Sequence, residues 1–270
     1  MSEHNSTLSA VLDDIVAAAE NMKLPVPHRP WLEPLPEVIV PSDFPILSHP
    51  GTIGLLDCPQ QQEQRALQYL PAEDGNLVII GSAASGKSFA LQTVSEAVRS
   101  LGYRSVFLDW RKPESLLGIF EGLLSAPQDL GPVPVSADAS GGEVSPAQEP
   151  TLILLDSFED FRERYEYGRE SAGIYQQFVE LISSSRRYNC TVVVTASREH
   201  SLPSQLVPYC RTQLFLGAEH PEQRPAVVNH SVLASFFAES KPAIAGRGWV
   251  QQGGLREFQL LMPKQRTSEW

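Results

Sequence analysis

The sequence predicts an α/β protein whose mostly parallel central sheet is flanked by helices, and three observations support this class. An apolar run rich in β-branched residues, 77–80, leads directly into a glycine-containing loop and then into a helical pattern. Two further apolar strand patterns, 105–108 and 151–155, are each followed by a helical pattern. The chain has 270 residues, 42% of them hydrophobic, which is enough for one substantial core.

The first 50 residues predict an appendage to that core. Residues 7–20 carry apolar side chains at helical spacing and predict an amphipathic helix that docks on the domain. A helix on a membrane surface is the alternative, although the flanks of this one are acidic. Residues 25–50 are rich in proline and predict an extended arm lying against the core. We therefore expect a helix and arm over 1–50 and the main domain over 51–270.

An antiparallel hairpin is predicted at the start of the main domain. The apolar segments 52–56 and 67–70 flank a polar turn at 57–64 and predict two edge strands of the central sheet. A second turn, at 74–76, precedes the strand at 77–80.

Residues 81–88 match the phosphate-binding loop Gly-x-x-x-x-Gly-Lys-Ser, known as Walker A. Glycine allows the tight turns that aim backbone N–H groups at a phosphate chain, and the following helix adds its positive N-terminus. The lysine places an ammonium against the outer phosphates, and the serine hydroxyl can bind Mg²⁺. The motif predicts a site for ATP and Mg²⁺ formed by Gly81, Ser82, Ala83, Ala84, Ser85, Gly86, Lys87 and Ser88.

The segment after this loop predicts a helix, a strand, a helix and an insertion. A helical stripe over 89–101 stops at Gly102, a strand covers 105–108, and a second helix covers 114–124. Residues 126–150 are dominated by proline, serine, alanine, glycine and acidic residues without periodicity. This composition predicts a disordered surface insertion, with binding of a partner as an open alternative.

The strand pattern 151–155 ends in Asp156, which matches the Walker B motif. A carboxylate at the end of such a strand holds Mg²⁺. One predicted strand lies between the two motifs in the sequence, an arrangement typical of RecA-like and AAA-type ATPases, where the motifs occupy non-adjacent strands. We therefore predict a RecA-like (ASCE) P-loop NTPase fold with Ser88 and Asp156 as the Mg²⁺ ligands.

In such ATPases a glutamate commonly follows the Walker B aspartate and polarises the attacking water, but here that position is Ser157. A serine hydroxyl is a poor proton acceptor at neutral pH. We therefore expect tight nucleotide binding with slow or absent hydrolysis. The competing interpretation is that Glu159, or a residue of another subunit, supplies the base; Asp160 is a second weak candidate, and both carboxylates could simply begin the next helix.

The last third of the chain predicts further helices and strands. A long helical region covers 161–185, strands cover 190–195 and 213–216, a helix lies near 232–239, and two strands cover 246–250 and 257–262. Thr195 and Ser197, at the end of one strand, are candidate sensors of the γ-phosphate or ordinary strand-end caps. Arg247, between two glycines, is a candidate nucleotide contact or a turn residue that makes a salt bridge.

Composition excludes several other functions. The net charge of −11 argues against a protein that binds free duplex DNA, because such proteins need basic surface. Three widely spaced cysteines without C-x-x-C spacing predict ordinary reduced thiols. No apolar run approaches the roughly 20 residues that span a bilayer, and the acidic, polar N-terminus does not resemble a signal peptide.

Several of these segments together resemble a known family. They are the Trp/Pro arm at 31–36, the Asp-x-Pro turn with its glutamines at 53–64, the Walker strand and loop, the strand end at 192–198 and the Gly-Arg-Gly at 246–248. From about residue 6 to 263 the chain is similar to the FtsK/SpoIIIE-type ATPase modules of the type VII (ESX/WXG100) secretion ATPases, EssC/EccC.

The resemblance implies a cytoplasmic module of a membrane-anchored motor with several such domains in tandem, which recognises secreted helical-hairpin proteins of the WXG100 type. It also implies that some later modules bind ATP without turning it over, and Ser157 fits such a degenerate module. Its implied partners are neighbouring modules and cargo, with a homo-oligomer possible. Members of the wider family translocate DNA, but the acidic composition of this chain predicts no nucleic-acid partner. The alternatives are a hydrolysing translocase domain acting on protein or DNA, and a small-molecule kinase, for which no Arg-rich lid is evident.

Overall fold

The computed structural model describes residues 3–24, 32–125, 149–168, 172–198, 201–217, 244–251 and 255–263. The chain divides into two compact units, Met1–Glu33 and Pro34–Trp270. The predicted insertion at 126–148 and the predicted helix near 232–239 lie outside the described residues.

The first unit contains one helix, α1, Glu3–Asn21, which is longer than the predicted 7–20. Its apolar side chains Val11, Leu12, Ile15 and Val16 are all at least half exposed. The expected docking of this helix on the main domain stays a prediction. No helix in the described part of the chain combines the length and apolar character needed to cross a bilayer.

The second unit is organised by one sheet of nine described strands in the order β2-β1-β9-β8-β7-β3-β6-β5-β4. The strands are β1 Thr52–Cys58, β2 Glu63–Gln68, β3 Leu77–Gly81, β4 Arg104–Leu108, β5 Thr151–Leu155, β6 Cys190–Ala196, β7 Thr212–Leu216, β8 Arg247–Gln251 and β9 Leu255–Leu260.

One half of the sheet is parallel, as predicted. The strands β7, β3, β6, β5 and β4 run in the same direction, with Leu77 of β3 opposite Val193 of β6 and Thr212 of β7. Because parallel strands end at the same edge of a sheet, the residues that follow β3, β5 and β6 meet there. The Walker A strand β3 and the Walker B strand β5 are separated by β6, which confirms the RecA-like arrangement.

The other half of the sheet is antiparallel. The hairpin of β1 and β2 is joined through β9 and β8 to β7. The prediction of a second hairpin strand at 67–70 was wrong in its bounds, because the connection is a short turn at Pro59–Gln61 followed by Gln62 in the left-handed conformation. This tight turn lets β2 begin at Glu63, and its exposed polar residues gave no apolar pattern to detect.

Five described α-helices belong to the second unit together with the sheet. A single helical region over 161–185 was also a wrong prediction, since α5 ends at Glu166 and α6 starts at Ala172. Gly168 follows α5 with its Cα against the Arg164 carbonyl, where a Cβ would lie 2.2 Å from that oxygen. Apart from α1, the helices are α2 Pro71–Asp74, α3 Lys87–Arg99, α4 Pro113–Leu124, α5 Phe158–Glu166 and α6 Ala172–Ser183.

Helices cover both faces of the parallel strands, which explains their continuous apolar sequences. In β3, Leu77 and Ile79 belong to the core cluster that includes α3, whereas Val78 and Ile80 belong to the cluster that includes α4, α5 and α6. The second cluster is rich in aromatic rings, with the centroids of Phe120, Phe158 and Phe161 each within 6.4 Å of the Phe178 centroid.

The described part of the proline-rich arm lies against the antiparallel half of the sheet. Ile39 is fully buried and forms a parallel bridge to Leu261 just after β9. Leu35, Ile39 and Leu47 form a third, small core cluster with Leu55 and Leu261. Two short 3-10 turns, Pro41–Asp43 and Pro45–Ser48, then lead into β1.

A single buried amide connects three parts of the second unit. The Asn76 side chain, which is 3% exposed, donates hydrogen bonds to the carbonyls of Ile182 (2.8 Å) and Tyr209 (3.1 Å). Its amide oxygen accepts a bond from the Val192 N–H at 2.9 Å. These bonds tie the residue before β3 to α6, to β6 and to the segment before β7.

We expect Asn76→Ala to lower the free energy of unfolding by about 3 kcal/mol, because it removes the partner of two buried backbone groups and one partly buried one. Urea unfolding measures this, with the slope against urea unchanged. Ser100→Ala is the control: its exposed hydroxyl bonds only to the Ala97 carbonyl, so we expect a loss below about 0.5 kcal/mol. A loss below about 1 kcal/mol for Asn76→Ala would contradict the structural role of this amide.

Candidate functional site

The candidate site lies at the carboxyl ends of the parallel strands, where ligands bind in open α/β sheets. The phosphate-loop residues 82–86 connect β3 to α3, as the sequence predicts. Gly86 has φ +98° and Ala84 has φ +62°, so the loop turns through two residues with positive φ, one of them a glycine. There is no space for a side chain at Gly81, where a Cβ would lie 2.4 Å from the Ser85 hydroxyl oxygen.

The back of this loop rests on two glycines from distant parts of the chain. The Gly246 N–H donates to the Ser85 carbonyl at 3.0 Å, and a Cβ on Gly217 would lie 2.9 Å from the Ser85 Cβ. The Gly217 N–H in turn donates to the Arg247 carbonyl at 2.9 Å. Sequence reasoning missed Gly217; the available signal was a glycine directly after the apolar strand β7.

Lys87 starts α3 and turns its ammonium back over the loop. Its Nζ donates to the carbonyls of Gly81 (2.7 Å) and Ser82 (2.8 Å). Burial lowers the pKa of Lys87, and the negative charges of Asp156 and Glu159 oppose that shift. The ammonium is therefore held within the electrostatic influence of both carboxylates.

Asp156, directly after β5, accepts hydrogen bonds from three groups. The Ser88 hydroxyl donates to its Oδ2 at 2.6 Å, and the Thr195 hydroxyl donates to its Oδ1 at 2.5 Å. The Ser157 N–H lies 3.1 Å from Oδ1 and 2.9 Å from the Thr195 hydroxyl oxygen. The fold thus brings together the predicted Mg²⁺ ligands, Ser88 and Asp156, with the candidate sensor Thr195.

This donor set fits Mg²⁺, which prefers hard oxygen ligands and usually completes its shell with phosphate oxygens and water. Groups of three or more acidic, histidine or cysteine side chains that could hold a metal do not occur among the described residues. One carboxylate and one hydroxyl suffice for a P-loop Mg²⁺ site, because the nucleotide supplies the other ligands.

The residues after Asp156 lie on α5 and its N-terminus. Ser157 adopts φ +57° and precedes the helix. The Glu159 carboxylate accepts a hydrogen bond from the Ser197 N–H at 2.5 Å, which joins α5 to the end of β6. Asp160 is exposed in the first turn of α5. Of the two weak candidate bases, Glu159 is the one that meets another predicted site residue.

The Arg247 guanidinium bonds to four protein groups. It donates to the carbonyls of Leu35 (2.8 Å) and Pro36 (2.9 Å), to the Gln259 side chain (2.8 Å) and to the Glu257 carboxylate (3.2 Å). The salt bridge that the sequence allowed is therefore present. The backbone next to Arg247, and not its guanidinium, contacts the phosphate loop.

The described cysteines are outside this site. Cys58, Cys190 and Cys210 are all buried as free thiols. Burial raises the pKa of Cys190 and of Cys210 to about 12, so both thiols are protonated at neutral pH.

Comparison with known proteins identifies relatives in type VII secretion. No family model matches the chain. A segment is 33% identical over 88 residues to the ESX secretion system protein EccC of Geobacillus thermodenitrificans, covering 32% of this chain and 6% of that protein. Another match, 30% identical over 103 residues, is to the type VII secretion system protein EssC of Staphylococcus aureus, covering 34% of this chain and 7% of EssC.

Solved structures support the fold. ATPases 2 and 3 of Thermomonospora curvata EccC, in complex with a signal sequence peptide, align with 89% of this chain and 46% of that one at 14% identity, TM-score 0.58. The conjugation coupling protein TcpA of pCW3 with ATPγS aligns with 85% of this chain and 71% of that one at 11% identity, TM-score 0.55.

These comparisons confirm the resemblance to the EssC/EccC ATPase modules and the RecA-like P-loop fold. The chain spans only 6–7% of the length of the curated relatives that it matches.

We expect Thr195→Val to lower the free energy of unfolding by about 1–2 kcal/mol, because it removes a donor from Asp156 and an acceptor from the Ser157 N–H. Urea unfolding at low ionic strength measures the change. Thr191→Val is the matched control, since Thr191 is also buried on β6 but does not contact Asp156. Equal effects of the two substitutions would show that the Asp156 network adds nothing to stability.

Proposed function

We propose that this chain is an ATP-binding module of a type VII secretion ATPase, and that it holds Mg²⁺-ATP with slow or absent hydrolysis. The observation that carries the proposal is the meeting of Lys87, Ser88 and Asp156 at one sheet edge, with Ser157 in place of an acid directly afterwards. Binding requires the first three residues, and fast hydrolysis requires a base as well.

The nucleotide would occupy the concave side of the phosphate loop. Lys87 now bonds to two loop carbonyls, and phosphate oxygens are stronger acceptors for its ammonium. Ser88 and Asp156 would hold Mg²⁺, which neutralises phosphate charge when bound. The N-terminus of α3 adds a favourable field for the anion.

Slow hydrolysis follows from the groups that surround Asp156. The Ser157 N–H already donates to Asp156 and Thr195, and the neutral Ser157 hydroxyl is too weak a base to accept a proton from water at neutral pH. The nearest alternative acid, Glu159, already accepts the Ser197 N–H. The second oxygen of the Glu159 carboxylate takes no part in this hydrogen bond, but the bond holds the carboxylate toward β6.

The role in secretion rests on the relatives. The curated matches are secretion proteins far longer than this chain, and a solved neighbour contains ATPases 2 and 3 of EccC with a signal sequence peptide. By analogy, this module would work beside neighbouring ATPase modules, on the cytoplasmic side of a membrane-anchored protein. It would contribute to assembly, regulation or recognition of WXG100-type cargo, and a homo-oligomer is compatible with this role. The net charge of −11 favours protein cargo over nucleic acid.

A second candidate is a hydrolysing translocase domain acting on protein or DNA, and one observation favours it. Glu159 is in the first turn of α5 and bonds to Ser197 at the end of β6, at the same sheet edge as Asp156. A rearrangement that freed Glu159 from the Ser197 N–H would leave a carboxylate near the phosphates.

We expect wild-type protein to bind ATP with Mg²⁺ in isothermal titration calorimetry, and Lys87→Ala to weaken the affinity at least about tenfold through loss of charge-assisted bonds. Lys112→Ala is the control, because Lys112 is 72% exposed and pairs with Asp109 after β4. We expect it to change the affinity less than about twofold. Absence of any heat of binding in the wild-type protein would overturn the proposed function.

Ser157→Glu tests the missing base. We expect it to raise the rate of ATP hydrolysis at least about tenfold, since a positioned general base contributes about 10²–10⁴. Ser157→Gln is the matched control: it has nearly the same size but accepts no proton, so its rate should equal that of wild type. A wild-type rate as high as that of Ser157→Glu would favour the second candidate.

A further inference from the structure

The Arg247 guanidinium connects the proline-rich arm to the rest of the domain through hydrogen bonds to four protein groups. Its side chain is only 16% exposed, and the two bonds from Nη2 reach the adjacent carbonyls of Leu35 and Pro36. These carbonyls belong to the arm just before its buried anchor, Ile39. The arm is thus held at one point by hydrogen bonds from the Arg247 guanidinium and beyond it by a small apolar cluster.

The same residue is fixed to the phosphate loop through its backbone. Its neighbour Gly246 donates to the Ser85 carbonyl at 3.0 Å, and its own carbonyl accepts from the Gly217 N–H. The packing here leaves no spare volume: a Cβ on Gly86 would lie 2.9 Å from the Gly246 nitrogen. A shift of the 245–247 backbone would therefore displace Ser85 or Gly86.

Gln259 on β9 connects the Arg247 side chain to the backbone of the turn at 245–247. Its Oε1 accepts from Arg247 Nε at 2.8 Å, and its Nε2 donates to the Ala245 carbonyl at 3.0 Å. Gln259 is 3% exposed, so both bonds are shielded from water. The guanidinium cannot move away from the arm without loosening the turn that supports the loop.

We propose that Arg247 is a positioning residue through which seating of the arm at Leu35–Pro36 strengthens nucleotide binding at the phosphate loop. The inference rests on the proposed ATP binding. Loss of the arm contact would free the guanidinium, relax the turn at 245–247 and leave Ser85 and Gly86 less well placed for a phosphate. By thermodynamic reciprocity, bound nucleotide holds the arm more firmly in place.

The chemistry of arginine suits this role. Its planar guanidinium donates in several fixed directions at once, whereas a lysine ammonium is a flexible point charge. Here the guanidinium N–H groups donate to the arm, to Gln259 and to Glu257. A lysine at this position would keep the charge but could not reach all of these acceptors together.

The described part of the arm is also held by less apolar packing than the sheet is. Its apolar anchor is the smallest of the three core clusters, and Val38 and Val40 on either side of Ile39 are 58% and 44% exposed. The free energy of local unfolding is lower for segments with few buried apolar contacts than for the core. The arm can thus change state while the sheet stays folded.

The test measures the affinity for ATPγS with Mg²⁺ by isothermal titration calorimetry. We expect Arg247→Gln to weaken binding about tenfold, within the usual range of coupling between sites, and Arg247→Lys to give an intermediate value. Arg256→Gln is the matched control, because Arg256 is on β9 but bonds to Cys58 and Gln61 instead of the arm. It should bind as tightly as wild type.

Amide hydrogen exchange of wild-type protein tests the same coupling without a variant. The Met262 N–H bonds to the Ile39 carbonyl at 3.2 Å and therefore reports whether the arm is seated. We expect saturating ATPγS to slow its exchange about tenfold, with little change in the amides of the edge strand β2.

Each outcome is distinct. Binding by wild type, with Arg247→Gln within about twofold of Arg256→Gln and Met262 exchange unaffected by nucleotide, would overturn the coupling and leave the proposed function intact. Absence of nucleotide binding by wild type would overturn both. If Arg247→Gln fails to fold, the exchange of Met262 in wild type decides the matter.

Discussion

The candidate site depends on the hydrogen bonds that the Asp156 carboxylate accepts. Its two oxygens receive hydroxyl bonds from Ser88 on α3 and Thr195 on β6, so one side chain after β5 links three elements of the sheet edge. The position of β6 between β3 and β5 makes this possible, since it places Thr195 beside Asp156 and leaves room for α3 to begin opposite. A change in strand order would separate these groups even if every motif were kept.

Binding and hydrolysis make different demands on this edge. A phosphate loop, a lysine, a hydroxyl and a carboxylate are sufficient to hold Mg²⁺-ATP, and all of them are present in compatible positions. Turnover also needs a group that accepts a proton from water, and the chain has Ser157 where related ATPases commonly have glutamate. In this structure the Glu159 carboxylate accepts a hydrogen bond from the Ser197 N–H and so joins α5 to the end of β6.

The antiparallel half of the sheet has a role in the site beyond closing the core. Through Gly246 and Gly217 it supports the back of the phosphate loop, and through Arg247 it holds the arm. The turn at 245–247 therefore contacts both the phosphate loop, through Gly246, and the arm, through the Arg247 side chain. This arrangement gives a structural reason why an N-terminal segment could influence nucleotide binding at a site it does not line.

The sequence by itself determined the fold class and the phosphate-loop motif, and it selected Ser88 and Asp156 as candidates that the structure brings together, because these depend on local spacing and on apolar runs typical of buried strands. It did not determine the bounds of β2, whose residues are polar and exposed, or the break between α5 and α6. Only the tertiary structure decided that Glu159 bonds to Ser197, that Gly217 supports the loop and that the Arg247 guanidinium faces the arm. These contacts join residues 38 to 212 positions apart, and nothing in a local pattern specifies which distant group a side chain will meet once the strands have paired.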